Sequence, residues 1–273
     1  MYKIIFTDLD ETLLDQHHVP QVNLEAIKKA KELGVKIVPC TGRGYDMTID
    51  VLKELEQYDL ENEYIIGYNG GLIVECKNAK ELYFNGLDFE TTRTIFNYGI
   101  DKDVCILIFT AEQCFIFNPS ESELARKTQQ KSNFKIIDSK SMDFMKDMRI
   151  AKINYQNTNK AYLEELLKEL KPLIEDKVSI SFSSGRYMEF NKAGVNKGQG
   201  LKWLAEHLNI PIEQTIAIGD NYNDEAMLKV AGLSVAVQSA DPYIQSLCDY
   251  VTQRDYPEGS VAEVIEEFIL KHQ

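Results

Sequence analysis

The sequence has no CxxC pair. Its five cysteines, Cys40, Cys76, Cys105, Cys114 and Cys248, are odd in number and widely scattered. That pattern supports neither a disulfide framework nor a zinc site, and a reducing, cytoplasmic setting is expected. No apolar run reaches the roughly 20 residues that a membrane-spanning helix needs. The N-terminus lacks the basic-then-apolar pattern of a secretory signal. Positive charge is also scarce: 30 Lys and Arg stand against 43 Asp and Glu, a net charge of −13. Nucleic acid and anionic membrane both demand a concentrated basic surface, so neither is expected as a partner. An anionic small molecule would need a locally positive pocket. Internal repeats, low-complexity segments and proline-rich linkers are missing, and the four histidines form no catalytic pattern. What remains is a globular composition, 44% hydrophobic and 27% charged over 273 residues, enough for one large or two ordinary domains.

Short apolar runs alternate with amphipathic helical patterns at both ends of the chain. Residues 2–7 read as a strand, followed by a helix from about Val22 to Leu33 that Gly34 closes. "VKIVP" (35–39), a helical stretch around 45–57 and "EYIIGYNGG" (63–71) follow. Late in the chain "TIAIG" (215–219) and "LSVAV" (233–237) read as buried strands between helical patterns. This alternation predicts an α/β fold with a doubly wound, Rossmann-like parallel sheet. Strands without polar alternation suit it, because helices cover both faces. Residues 85–186 differ. "CILIFT" and "CFIFNP" flank a short turn, a helix carries Leu163, Leu166, Leu167 and Leu170, and "VSISFSS" and "RYMEFN" form a second hairpin around Gly185. An α+β domain inserted into the parallel-sheet domain is expected, with the core at 1–84 and 187–273.

Four motifs fall at or just after strand ends: Asp8-Leu9-Asp10-Glu11-Thr12, Thr41-Gly42-Arg43, Lys197 in "VNKGQGL", and Gly219-Asp220-Asn221-Tyr222-Asn223-Asp224. Each alone is ordinary turn or cap chemistry. "GDNYND" carries more small acidic and amide side chains than one cap uses. Together they make a chemical set, because ligands of such sheets collect at the carboxyl ends of the strands. Asp8 and Asp220 would offer hard oxygen ligands to Mg²⁺. The Thr41 hydroxyl, the Gly42 N–H and the Lys197 ammonium could grip phosphoryl oxygens as charge develops in transfer. Asp8 could attack phosphorus and form an aspartyl-phosphate. Asp10 could protonate the leaving group and later activate water.

The ordered set resembles the haloacid dehalogenase-like phosphohydrolase superfamily, and "DLDETLLD", "CTGR", "NKGQGL" and "IGDNYNDEAML" are similar to its Cof-type branch. The resemblance covers roughly residues 1–84 and 187–273 and implies that residues 85–186 form a cap that selects substrate. It further implies Mg²⁺ bound by Asp8, the backbone carbonyl of Asp10 and Asp220. Asn223 and Asp224 would support the phosphate or the metal, and Leu9 would give a backbone N–H to phosphate. Glu11 stands where the family usually has glycine.

The implied reaction is hydrolysis of a small phosphorylated metabolite: a sugar phosphate, a nucleotide or a phosphorylated cofactor. A phosphotransferase or mutase is a second reading, and a non-hydrolytic phosphoaspartyl switch or binding protein a third. Asp10 separates the switch from the hydrolase, because only a hydrolase needs to break the aspartyl-phosphate down. Arg186 and Tyr187 could read the substrate beyond its phosphate, and Arg43 could line the entrance. The ordinary readings of these three are a solvated hairpin and a surface ion pair.

Overall fold

The computed structural model of the chain describes residues 1–129 and 133–272. It divides into two compact units, Met1–Tyr83 with Asn196–Gln273, and Phe84–Val195. No helix among the described residues is long and apolar enough to cross a membrane.

The first unit begins with β1 (Ile4–Thr7), whose four residues are all buried. A run of Ile-Ile-Phe covered on both faces makes a central strand, each side chain contributing about 1.5–3 kcal/mol of burial. Helix α1 (Gln21–Glu32) follows, burying Ala26, Ile27 and Ala30. It ends at Gly34, whose φ of +80° closes the turn. Gly34 N donates to Lys31 O (2.9 Å) and Val35 N to Ala30 O (3.0 Å), satisfying two of the last free carbonyls. Next come β2 (Lys36–Pro39), a 3₁₀ turn at Tyr45–Thr48, α2 (Ile49–Glu54), β3 (Tyr64–Gly67), β4 (Leu72–Glu75) and β5 (Lys80–Phe84). The expected helix around 45–57 is therefore shorter and starts as 3₁₀. β3 meets the end of β2 through one parallel bridge, Cys40 to Ile66, and pairs antiparallel with β4 in a three-stranded sheet of order β3-β4-β5.

The second unit holds α3 (Phe89–Gly99), β6 (Cys105–Thr110), β7 (Cys114–Phe117), α4 (Glu121–Gln129), β8 (Phe134–Ile136), β9 (Ile150–Gln156), α5 (Lys160–Ile174), β10 (Val178–Ser183) and β11 (Tyr187–Lys192). Its six-stranded sheet runs β10-β11-β9-β6-β7-β8, over a core of its own that includes Phe96, Phe117, Tyr155, Leu163 and Phe190. β11 corrects the expected boundary at 186/187. It pairs with β10 and β9 along its length, Tyr187 to Ser183 and to Gln156. The chain therefore returns to the first unit at 195/196. The hairpin read from "VSISFSS" and "RYMEFN" already paired this strand with β10, and the expected boundary cut through that hairpin.

The first unit resumes with α6 (Lys197–His207), β12 (Thr215–Gly219), α7 (Glu225–Leu228), β13 (Leu233–Ala236), α8 (Pro242–Leu247), β14 (Tyr250–Val251) and α9 (Ser260–Phe268). The sheet order β14-β13-β12-β1-β2 is parallel throughout. From β1 the chain moves outward to β2, whereas β12 starts the other half. The order therefore reverses between β1 and β12, where such sheets bind ligands. Thr7 sits opposite Ile218 in register, so the loops after β1 and β12 leave the sheet side by side.

Candidate active site

Asp8 begins where β1 stops, and its N–H donates to Ile218 O at 2.9 Å. Asp220 follows β12 directly, and Asp224 closes the same loop. Carboxylate oxygens of Asp8, Asp220 and Asp224 lie within 4.8 Å of one another, and all three residues are buried. Asp224 Oδ2 accepts the N–H groups of Asp220 and Asn221, both at 3.1 Å. Its Oδ1 accepts from Lys197 Nζ at 2.5 Å. Lys197 Nζ also donates to Asp8 Oδ1.

Lys197 is the first residue of α6, and the side chain of its N-cap Asn196 accepts from Gln199 N at 2.9 Å. Gly198 brings this helix start down onto α7: a Cβ at 198 would lie 2.2 Å from Ala226 O. Gly198→Ala is therefore expected to destabilise the protein by about 1–3 kcal/mol, the usual range for overpacking. A urea midpoint unchanged from wild type would mean that α6 can lift from α7 freely.

Electrostatics follow from burial. Loss of water raises the Asp8 carboxyl from 3.8 to about 7; Lys197 opposes that shift, and Asp224 and Asp10 add to it. Burial, then the charges of Asp224 and Asp8, raise Asp220 to about 9. Burial works against the charge of Lys197, but Asp224 and Asp8 outweigh it and hold the ammonium protonated. Ionising all three buried carboxyls beside one buried ammonium would leave an excess of negative charge, which a bound cation would offset. An all-oxygen donor set suits Mg²⁺. Asp8 and Asp220 are the residues with room to hold it, since each engages one oxygen while both oxygens of Asp224 are taken.

The carboxylate of Asp10 is not in this cluster. Half exposed, it pairs with Arg43, whose Nε lies 3.1 Å from Oδ2 and whose Nη2 donates to Oδ1. Arg43 is thus committed to a carboxylate, its ordinary reading, and that carboxylate belongs to the motif. Thr41 is buried after β2; its N–H donates to Ile66 O at 2.9 Å and its hydroxyl accepts from Arg43 N at 3.2 Å. Gly42 is half-buried in the same bend, Leu9 is fully buried and Asn223 half-buried. Glu11 adopts φ 61°, the left-handed region in which glycine is at ease. Arg186 and Tyr187 lie in the second unit. The Tyr187 hydroxyl donates to Glu123 at 2.9 Å, and Arg186 lies 3.3 Å from Glu123 and donates to Ser122 Oγ at 3.0 Å. These contacts tie α4 to the sheet, a structural task within that unit.

Thr12 was not singled out by its sequence, although it is the fifth residue of the first motif. It is fully buried, and its hydroxyl donates to Asp220 Oδ1 at 2.8 Å. A β-branched hydroxyl at that place was the available signal; its partner lies 208 residues away.

The sequence model of the haloacid dehalogenase-like hydrolases matches residues 5–265. A phosphoglycolate phosphatase of Methanobrevibacter smithii is 31% identical over 97% of this chain and 98% of its own. The phosphatase YwpJ of Bacillus subtilis is 27% identical over 98% of this chain and 100% of its own. Among solved structures, a haloacid dehalogenase-like hydrolase from Bacteroides thetaiotaomicron superposes with a TM-score of 0.86 at 26% identity, covering 98% of this chain and 100% of that one. With nearly the whole chain matched and the motifs gathered at the sheet's switch point, the chain belongs to the haloacid dehalogenase-like hydrolase family and is a phosphatase of that family.

Proposed function

We propose that the enzyme is a Mg²⁺-dependent phosphatase that hydrolyses a small phosphorylated metabolite through an aspartyl-phosphate on Asp8. The observation that carries this reading is the buried cluster of Asp8, Asp220 and Asp224 around Lys197. Asp8 and Asp220 would hold Mg²⁺, with the Asp10 carbonyl as a further ligand by family resemblance. When bound, the ion neutralises carboxylate and phosphate charge and so lets an anion enter an acidic site.

An oxygen of Asp8 attacks phosphorus, and the bond from phosphorus to the ester oxygen breaks. Asp10, which must let go of Arg43 to do so, gives a proton to that departing oxygen. Asp10, now a carboxylate, takes a proton from water. The water oxygen attacks the aspartyl-phosphate, which frees phosphate and restores the Asp8 carboxylate. Lys197 holds Asp8 in place for attack, and its ammonium, with the Thr41 hydroxyl and the N–H groups of Leu9 and Gly42, faces the charge that develops on the phosphoryl oxygens. Asn223 supports the phosphate and Asp224 fixes both Lys197 and the 220–221 backbone. The unit Phe84–Val195, inserted between β5 and α6, is assigned the choice of substrate.

The test is phosphate release from an aryl phosphate and a panel of phosphorylated metabolites, with Mg²⁺ and with chelator. Asp10→Asn is run beside wild type and followed by intact-protein mass spectrometry. Metal-dependent release by wild type, and a phosphoryl adduct on Asp8 that persists in Asp10→Asn, are expected. Folded wild-type protein that releases phosphate from none of them would overturn the hydrolase reading. An adduct as long-lived in wild type as in Asp10→Asn would favour the switch.

Glu11→Gly should keep turnover and leave stability unchanged or higher by up to about 1 kcal/mol, since glycine adopts the left-handed conformation without strain. Thermal melts and initial rates check this. A lost activity would show that the Glu11 side chain takes part in the loop's chemistry.

A further inference from the structure

We infer that Ser260, at the start of the last helix, is a positioning residue for Asp220, acting through Thr12. The inference rests on the reading of Asp220 as a metal ligand.

The loop from Leu9 to Leu14 carries the first motif, yet it has few backbone partners beyond its own turn. Leu13 N and Leu14 N donate to Leu9 O at 3.0 and 2.9 Å, whereas Thr12 N reaches it only at 3.4 Å. The carbonyls of Thr12 and Leu13 are held from outside the loop by two buried side chains. Ser260 Oγ donates to Thr12 O at 3.0 Å, and Asn23 Nδ2 to Leu13 O at 3.4 Å. Asn23 Oδ1 in turn accepts from Ala262 N at 2.8 Å, so α1 and α9 are joined at the same place. Thr12, Asn23 and Ser260 are all fully buried. Water cannot replace these bonds, and a missing partner leaves a buried carbonyl unsatisfied.

The consequence reaches the site because the same residue that Ser260 holds by its carbonyl binds Asp220 by its hydroxyl, at 2.8 Å. Where the Thr12 backbone sits decides where that hydroxyl points, and the hydroxyl fixes which oxygen of Asp220 stays available. Partners that orient a ligand in this way are typically worth about 10–100-fold in metal affinity. Ser260 stands one bond further out, which puts its expected effect at the lower end.

The experiment is Mg²⁺ binding by calorimetry on full-length wild type, Ser260→Ala, Thr12→Val and the double variant, with circular dichroism confirming that each is folded. Ser260→Ala is expected to weaken Mg²⁺ binding about tenfold, and Thr12→Val by at least as much. The double variant is expected to bind no more weakly than Thr12→Val alone, because both changes break one chain of contacts. Ser260→Thr, which keeps the hydroxyl, should restore binding. A Ser260→Ala protein that melts earlier but binds Mg²⁺ as wild type does would overturn the inference, and so would losses that multiply in the double variant. Wild-type protein that binds no Mg²⁺ at all would overturn the metal reading, and this inference with it.

Discussion

Asp8→Asn is expected to abolish phosphate release and, at the same time, to make the metal-free protein more stable above neutral pH. The loss of activity follows from the role proposed for the residue: an amide does not replace a carboxylate as nucleophile, and removal of a nucleophile in other hydrolases costs on the order of 10⁴-fold or more. The gain in stability follows from where Asp8 sits. Its carboxyl is raised from 3.8 to about 7, first by burial. Between those two values the folded chain keeps a proton that the unfolded chain has already released. Stability conferred by that bound proton is full below pH 4, falls as pH rises through 7, and stays lost above it. The span corresponds to a few kcal/mol. Asparagine has no such titration, and its side-chain oxygen still accepts from Lys197. The variant should therefore match wild type near pH 4 and exceed it at pH 8, by urea denaturation in the presence of chelator. A variant less stable than wild type at pH 8 would mean that the Asp8–Lys197 pair outweighs the burial of the carboxylate. Mg²⁺ should narrow the gap, because it stabilises the carboxylate form that only wild type has.

How much of this site could be read from the sequence depends on the distance over which each contact acts. Asp8 and Asp220 were legible because each follows a short, mostly apolar strand that is buried throughout, and such strands pair in parallel at the centre of a sheet. Lys197 was legible as a motif, but its place between two carboxylates was not. That place needs Gly198 against Ala226, a contact between helices that no periodicity reports. The pairing of Arg43 with Asp10 spans 33 residues and that of Thr12 with Asp220 spans 208. Each depends on loops that only the finished sheet aligns. The boundary at 195/196 was missed for another reason: β11 was read as the second strand of a hairpin, but nothing in its sequence marks where the chain crosses between the two units. The left-handed backbone at Glu11 was foreshadowed by the glycine that the family resemblance implies at that place. A helix at 45–57 was over-extended because its apolar spacing continues past Glu54, where the helix ends.

Removing the cation of the cluster should have the opposite effect on stability to removing the anion. Lys197→Met keeps much of the side-chain volume but leaves Asp8 and Asp224 without the ammonium that both now share. Breaking a buried pair by removing one partner typically costs about 3–5 kcal/mol, since the remaining charge is stranded away from water. Here two carboxylates are stranded together, with Asp220 beside them. Protonation is their means of relief, so the loss should be largest at pH 8 and shrink toward pH 5, where the carboxyls take up protons. Phosphate release should fall with it and should not return when Mg²⁺ restores the melting temperature, because in the proposed mechanism the ion does not take the place of the Lys197 ammonium at the phosphoryl oxygens. Combining Asp8→Asn with Lys197→Met should recover part of the lost stability, as one stranded charge is then gone, so the two effects will not add. Urea denaturation of the four proteins at pH 5 and 8 decides it. If Lys197→Met unfolds with wild type at pH 8, the three carboxylates do not need a cation to coexist. The case for a metal between Asp8 and Asp220 would then lose its electrostatic basis.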